Sequence, residues 1–216
     1  MRGGVAEALW FDLSEEELIE IGKEVLGEKE ILELNEKIAS IQLEITEVDV
    51  VEKGNQSSEE AMFERSAPEV LARMIYQENR NCENGEQSKV LWVVVNRIFT
   101  DDNLTHGRSQ TLENVLQYGD FESLTSNDPN GTYNAFHPDY NSEGWANAKF
   151  LAALLYALVE NEKKENLDED YIRETLSNFQ DLQGNYITNE IGDCDSFWGD
   201  GRINHFYIYS EGRNNE

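Results

Sequence analysis

Glu78 is the acid in this chain whose spacing is suited to chemistry. It follows Met74 and Ile75 at i+4 and i+3, so on a helix it lies on or beside the face those residues bury. That helix is predicted to end at about Asn79, which sets the carboxylate at the negative end of the helix dipole. Burial and dipole both favour the protonated form. A carboxylic acid kept neutral near neutrality is what general-acid cleavage of a glycosidic bond requires. The competing reading is an exposed acid paired with Arg80 or Arg73, and spacing alone does not choose.

The elements that would hold Glu78 are legible on both sides of it. Ser66 and Glu69 have the spacing of a capping box, and Pro68 is tolerated in a first helical turn. Val70, Leu71, Met74 and Ile75 then form a stripe that predicts a helix to about Asn79. Residues 81–85 (NCENG) read as a turn. A second helix is predicted from about Glu86 to Phe99, facing inward with Val90, Leu91, Val94, Val95 and Ile98. Residues 100–142 are rich in Asn, Asp, Gly and Ser, with a short helical piece at Leu112 to Gln117. Ser142 caps a third helix whose inner side carries Trp145, Ala148, Leu151, Ala152, Leu155, Leu158 and Val159. Residues 161–170 are a solvated charge run, Tyr171 to Phe179 reads as another helix, and Asn204 to Tyr209 as an aromatic strand.

Upstream, Ser14 and Glu17 form another capping-box spacing, ahead of Leu18, Ile21, Val25 and Leu26, with Gly27 as a stop. A short helix is predicted from Lys29 to Ala39. Ile41, Leu43 and Ile45 then alternate with polar residues as in a strand. The polar stretch Glu52 to Glu60 reads as a linker. The expected organisation is therefore an accessory α/β segment at 1–51, a polar linker at 52–65, and the main domain at 66–216. The fold class is α+β with helices dominant.

The string from Leu71 to Arg97, LARMIYQENRNCENGEQSKVLWVVVNR, resembles the SleB-type cell-wall hydrolases, a family of spore cortex-lytic enzymes. Members show a helix ending in acid–any–Arg, a Gly-containing turn, a Gln, and a hydrophobic helix ending in Asn-Arg. Here Glu78, Arg80, Gln87, Asn96 and Arg97 fall on those positions without a gap. Gly119, Asp120 and Phe121 are similar to the family's Gly-Gln-Phe segment, with Asp120 where Gln is usual. Residues 203–207 (INHFY) are similar to its terminal Asn-His-x-Phe element. The likeness spans roughly residues 68 to 209. Residues 164–200 stand in place of the family's Gly-rich segment.

The resemblance implies a lysozyme-like catalytic domain acting on peptidoglycan glycan strands by lytic transglycosylation, with Glu78 as both acid and base. It implies substrate contacts from Arg80, Gln87 and Asn96. Arg80 could equally pair with Glu83, and Gln87 and Asn96 could be surface polar groups. Phe121 is either a wall for a sugar ring or plain core. Tyr133, Phe136, Tyr140 and Trp198 are aromatics in or near loop-like sequence, where sugar platforms occur. His205 is either a substrate contact or a hydrogen-bonded structural histidine. A glycosidase would need a second carboxylate about 5–9 Å away, and Asp120, Glu122 and Asp128 are the candidates. Two further readings stay open: a glycan-binding module without activity, and an acidic interaction protein whose residues 1–51 dock a protein partner.

Charge narrows the partners. With 44 Asp+Glu against 17 Lys+Arg the formal charge is −27, so nucleic acid and anionic membrane surfaces are poor partners. No stretch approaches the roughly 18–20 apolar residues of a membrane span. The opening MRGGVAEALWFDLSEEE does not read as a secretory signal, because Glu7 and Asp12 interrupt its apolar run. A cell-wall, spore-cortex or phage-lysis setting rests on the resemblance. Cys82, His106, His137, Cys194 and His205 lack metal-ligand spacing, and neither a phosphate loop nor a serine nucleophile elbow is present, so no metal or cofactor is expected. Whether Cys82 and Cys194 pair stays open.

Overall fold

Ile31, Leu34, Ile38, Ile41 and Ile45 recur at alternating intervals of three and four residues, the spacing of one helical seam. In the computed structural model all five are buried on a single helix, α1 (Glu28–Val51). This corrects two expectations at once. The helix does not stop at Ala39, and Ile41, Leu43 and Ile45 do not form a strand. Ile41 and Ile45 are also an i, i+4 pair, so a five-residue alternation fits both periods. Leu43 decides between them: it is 64% exposed, on the far side of the helix.

The structure describes residues 28–51, 62–80, 82, 85–100, 111–118, 121–125, 134–161, 167–194, 196–199 and 204–207. After α1 come α2 (Ala67–Glu78), α3 (Glu86–Phe99), α4 (Leu112–Tyr118), the single turn α5 (Glu122–Thr125), α6 (Glu143–Asn161) and α7 (Glu169–Asn178). Strands β1 (Ser196–Gly199) and β2 (Asn204–Tyr207) pair antiparallel, with Trp198 opposite His205 in register. Helices dominate the described residues. The helix expected at 18–26 and residues 52–61 of the linker expected at 52–65 lie outside them, while Met62, within that expected linker, is buried in the core.

The core is organised around α6. Trp145, Ala148, Leu151, Ala152, Ala153, Leu154, Leu155, Ala157 and Leu158 are all inaccessible to solvent. A helix buried on nearly every side must be covered from several directions. Here α1, α2, α3 and α7 all pack against it. The isoleucine seam of α1 thus belongs to the same hydrophobic core as α2 and α3. Residues 31–45 of α1 are built into that core, whereas the sequence suggested an accessory unit. Lys37 adds a tie to the C-terminal part of α6, donating to the Ala157 carbonyl at 3.3 Å and pairing with Glu160 at 3.0 Å.

Helix starts use different devices. Ser142 caps α6 as expected, its Oγ accepting from the Trp145 N–H at 3.1 Å. Asp168 caps α7 through the Tyr171 N–H at 3.0 Å, so that helix begins two residues before the expected Tyr171. The capping box expected at Ser66 is not formed: the Ser66 side chain makes no cap bond. Glu69 instead turns inward, accepting from Arg65 at 2.7 Å and from Arg73 at 2.8 Å, and is 1% exposed. Two buried cations hold that carboxylate more strongly than one backbone N–H would.

Candidate functional site

Glu78 is the last residue of α2, a helix with no basic residue in its last turn, and it is half-buried. The chain leaves α2 at Asn79, which is extended at φ −149° and still donates its N–H to the Ile75 carbonyl at 3.1 Å. It must then reverse within a few residues to enter α3. Among the described residues of this reversal, Cys82 at 48° and Gly85 at 69° have positive φ. Gly85 is there for its backbone, since a Cβ at that position would meet nothing within 4 Å.

Gly144 is there for the opposite reason. A Cβ on it would lie 1.8 Å from the Arg80 carbonyl oxygen, so the turn after α2 rests directly on the first turn of α6. Gln87 ties the two together. It is fully buried, and its Nε2 donates to the carbonyls of Asn79 and of Gly144, the latter at 3.0 Å. Its Oε1 accepts from Asn147 Nδ2 at 2.9 Å, and Asn147 Oδ1 accepts from the Leu182 N–H at 2.8 Å.

The segment 134–136 flanks the same end of α2. Gln77 Oε1 accepts from the backbone N–H groups of Asn134 and Ala135 at 2.8 and 3.1 Å. Arg80 is exposed and donates to Asn134 Oδ1 at 3.4 Å. Tyr76, buried two residues before Glu78, accepts from the Asp139 N–H at 3.3 Å through its hydroxyl. Trp145 packs edge-on against Tyr76 at 5.7 Å and against Tyr140 at 6.0 Å. Tyr140 is 43% exposed, so an accessible aromatic lies in the cluster that abuts the Glu78–Arg80 turn.

Other expected substrate contacts are placed differently. Asn96 is buried: its Nδ2 donates to the carbonyls of Gly192 and Cys194 at 2.8 and 2.6 Å, and its Oδ1 accepts from Arg173 at 2.8 Å. Asn96 therefore holds the segment after α7 onto α3, as Trp92 does by donating to the Ile187 carbonyl at 3.2 Å. Gln87 likewise spends its amide on protein groups. Phe121 is 3% exposed with the Arg97 guanidinium 4.1 Å from its ring centroid, which makes it core and not a sugar wall. Phe136 is half-buried and packs against the core. Glu122 opens α5, which packs against α2. His205 and Trp198 are opposed in the hairpin. Asp120, Asp128, Tyr133, Glu83 and His106 lie outside the described residues. Cys82 and Cys194 are not joined by a disulfide.

Arg73 pairs with the buried Glu69 carboxylate. Besides Glu69 it donates to the Ala135 carbonyl at 2.8 Å and lies 5.8 Å from the Trp145 ring centroid, 1% exposed. Sequence reasoning missed this buried Glu69–Arg73 pair, and it missed Gly144 and Asn147. The available signal was their position: a charged i, i+4 pair interleaved with an apolar stripe, and an Asn one turn before Leu151, in line with the apolar side of its helix. Among the described residues no three His, Cys, Asp or Glu side chains gather as metal ligands would, and no helix is long and apolar enough to cross a membrane.

The described residues are dominated by helices and include a small antiparallel hairpin. Comparison of the chain with protein-family models, with curated proteins and with solved structures finds no match.

Proposed function

We propose that this protein cleaves the glycan strands of peptidoglycan at the MurNAc–GlcNAc bond as a lytic transglycosylase, on a lysozyme-like helical domain. The observation that carries the reading is Glu78: a half-buried acid ending α2, on a turn held against α6. A single carboxyl group suffices for this reaction. It protonates the glycosidic oxygen as the bond to the muramoyl C1 breaks. The resulting carboxylate then takes the proton of the C6 hydroxyl, whose oxygen closes on C1 to give an anhydro ring. Arg80, exposed on that turn, and Tyr140, exposed and packed on Trp145 next to Gly144, are assigned to sugar contact. Tyr133, as an aromatic in loop-like sequence, and His205, within the element similar to the family's end, keep that assignment from the sequence alone.

One observation favours a second reading, a glycosidase with two carboxylates. The turn α5, which begins at Glu122, packs against the helix that carries Glu78, and Asp120 lies two residues earlier. Mass spectrometry of muropeptides released from purified sacculi separates the two, because anhydro ends are lighter than reducing ends by one water. Glu78→Gln should lower the rate by about 10²–10⁴ or more, since one group serves both proton transfers. Under transglycosylation Asp120→Asn and Glu122→Gln retain most activity. Equal loss in either of them selects the two-carboxylate mechanism, and an active Glu78→Gln removes the proposal.

A further inference from the structure

Gln87, expected to meet substrate, spends its amide on protein groups instead, and Gln87, Asn147 and Gly144 are all buried where the Glu78 turn meets α6. We infer that they form a positioning clamp that sets the backbone on either side of Glu78; this rests on Glu78 being the acid. A glutamine amide carries two N–H donors and one carbonyl oxygen. Both donors of Gln87 are aimed at main-chain carbonyls, one on Asn79, adjacent to Glu78, and one on Gly144 at the start of α6. The amide cannot be turned over. Flipped, its oxygen would face two carbonyl oxygens and its NH₂ would face the NH₂ of Asn147. Asn147 in turn is fixed by the Leu182 N–H. The chain Leu182–Asn147–Gln87–Asn79 therefore transmits one defined geometry from the loop after α7 to the turn.

Gly144 completes the clamp by leaving room. The Arg80 carbonyl carbon and oxygen lie 2.7 and 1.8 Å from where a Cβ would stand, and both are main-chain atoms that cannot swing aside. Any side chain at 144 must therefore push the Arg80 backbone off α6. Because Glu78 and Arg80 flank the clamped carbonyl of Asn79, that displacement reaches the acid and its neighbouring cation together. Proton transfer tolerates little such movement: a shift of about 1 Å can cost about 10²-fold in rate.

The test uses the full chain with Gly144→Ala, Gln87→Met and Asn147→Ser. Amide hydrogen exchange is followed at residues 78–82 and in α1, and kcat and KM are measured on soluble, uncrosslinked peptidoglycan strands. The expected result is faster exchange confined to residues 78–82, with kcat reduced about 100-fold and KM held within about threefold. Unchanged exchange at 78–82 overturns the clamp, as does protection lost equally in α1, which would mark a merely structural role. If Gly144→Ala does not fold, the two milder variants decide by the same criteria. If the unmodified protein releases no muropeptides, the peptidoglycan reading fails, and the exchange pattern alone then supports or overturns the clamp.

Discussion

Helices α1 and α3 both turn a long face inward, but they bury different things. Among the described side chains of α1, five aliphatic residues face inward, and Leu32 and Leu43 on the other side are exposed. The inward residues of α3 include Gln87, Asn96 and Arg97 among its valines and Trp92. Apolar burial is non-directional, so α1 contributes stability while specifying its own position only as closely as side-chain packing does. Each buried amide of α3 must meet particular main-chain groups, and each therefore fixes a segment: the Glu78 turn by Gln87, the segment at 192–194 by Asn96. Leaving such a group unpartnered costs about 1–3 kcal/mol, which is why it tolerates one arrangement. The same contrast separates the two kinds of motif position. Of the polar positions expected to meet substrate, Gln87 and Asn96 instead hold separate segments of the chain in place.

The largest effect expected from this contrast concerns α1 as a whole. A protein lacking residues 1–61 loses the isoleucine seam and uncovers one side of α6, so its thermal unfolding followed by circular dichroism should lose its cooperative transition. An unchanged melting curve would return residues 28–51 to the status of an appendage.

Next in size is the buried ion pair. Arg73→Met removes a cation from the 1%-exposed Glu69 and a donor from the Ala135 carbonyl, and should cost about 3–5 kcal/mol in urea unfolding. Ile38→Val, on the seam of α1, should cost only about 0.5–1.5 kcal/mol. Equal costs would dissolve the distinction between polar and apolar burial drawn above.

The smallest effect sharpens the helical reading of residues 41–45. Leu43→Lys falls on the exposed face and should change stability by no more than about 0.5 kcal/mol. Ile41→Lys, two residues earlier but 6% exposed, should be severely destabilising. A strand presenting Ile41, Leu43 and Ile45 on one face would make the two substitutions alike.

Much of this protein was determined locally. The stripes at 70–75 and 90–98 and the cap at Ser142 set α2, α3 and α6 close to their observed bounds, because helical periodicity and capping act over a few residues. The half-buried Glu78 at a helix end followed from the same reasoning. Errors arose where short-range signals were degenerate or outcompeted. The alternation at 41–45 suited two periods, and the capping box at Ser66 lost its Glu69 to Arg65 and Arg73.

Only the tertiary structure decided which polar residues face inward to hold the chain. Gln87 meets Gly144 and Asn147 across some sixty residues, and Asn96 meets Gly192 and Cys194 across nearly a hundred. A glutamine's type is the same whether its amide faces a sugar, water or a backbone carbonyl. What selects among these is the partner that long-range packing brings within hydrogen-bond reach, and no local pattern encodes it.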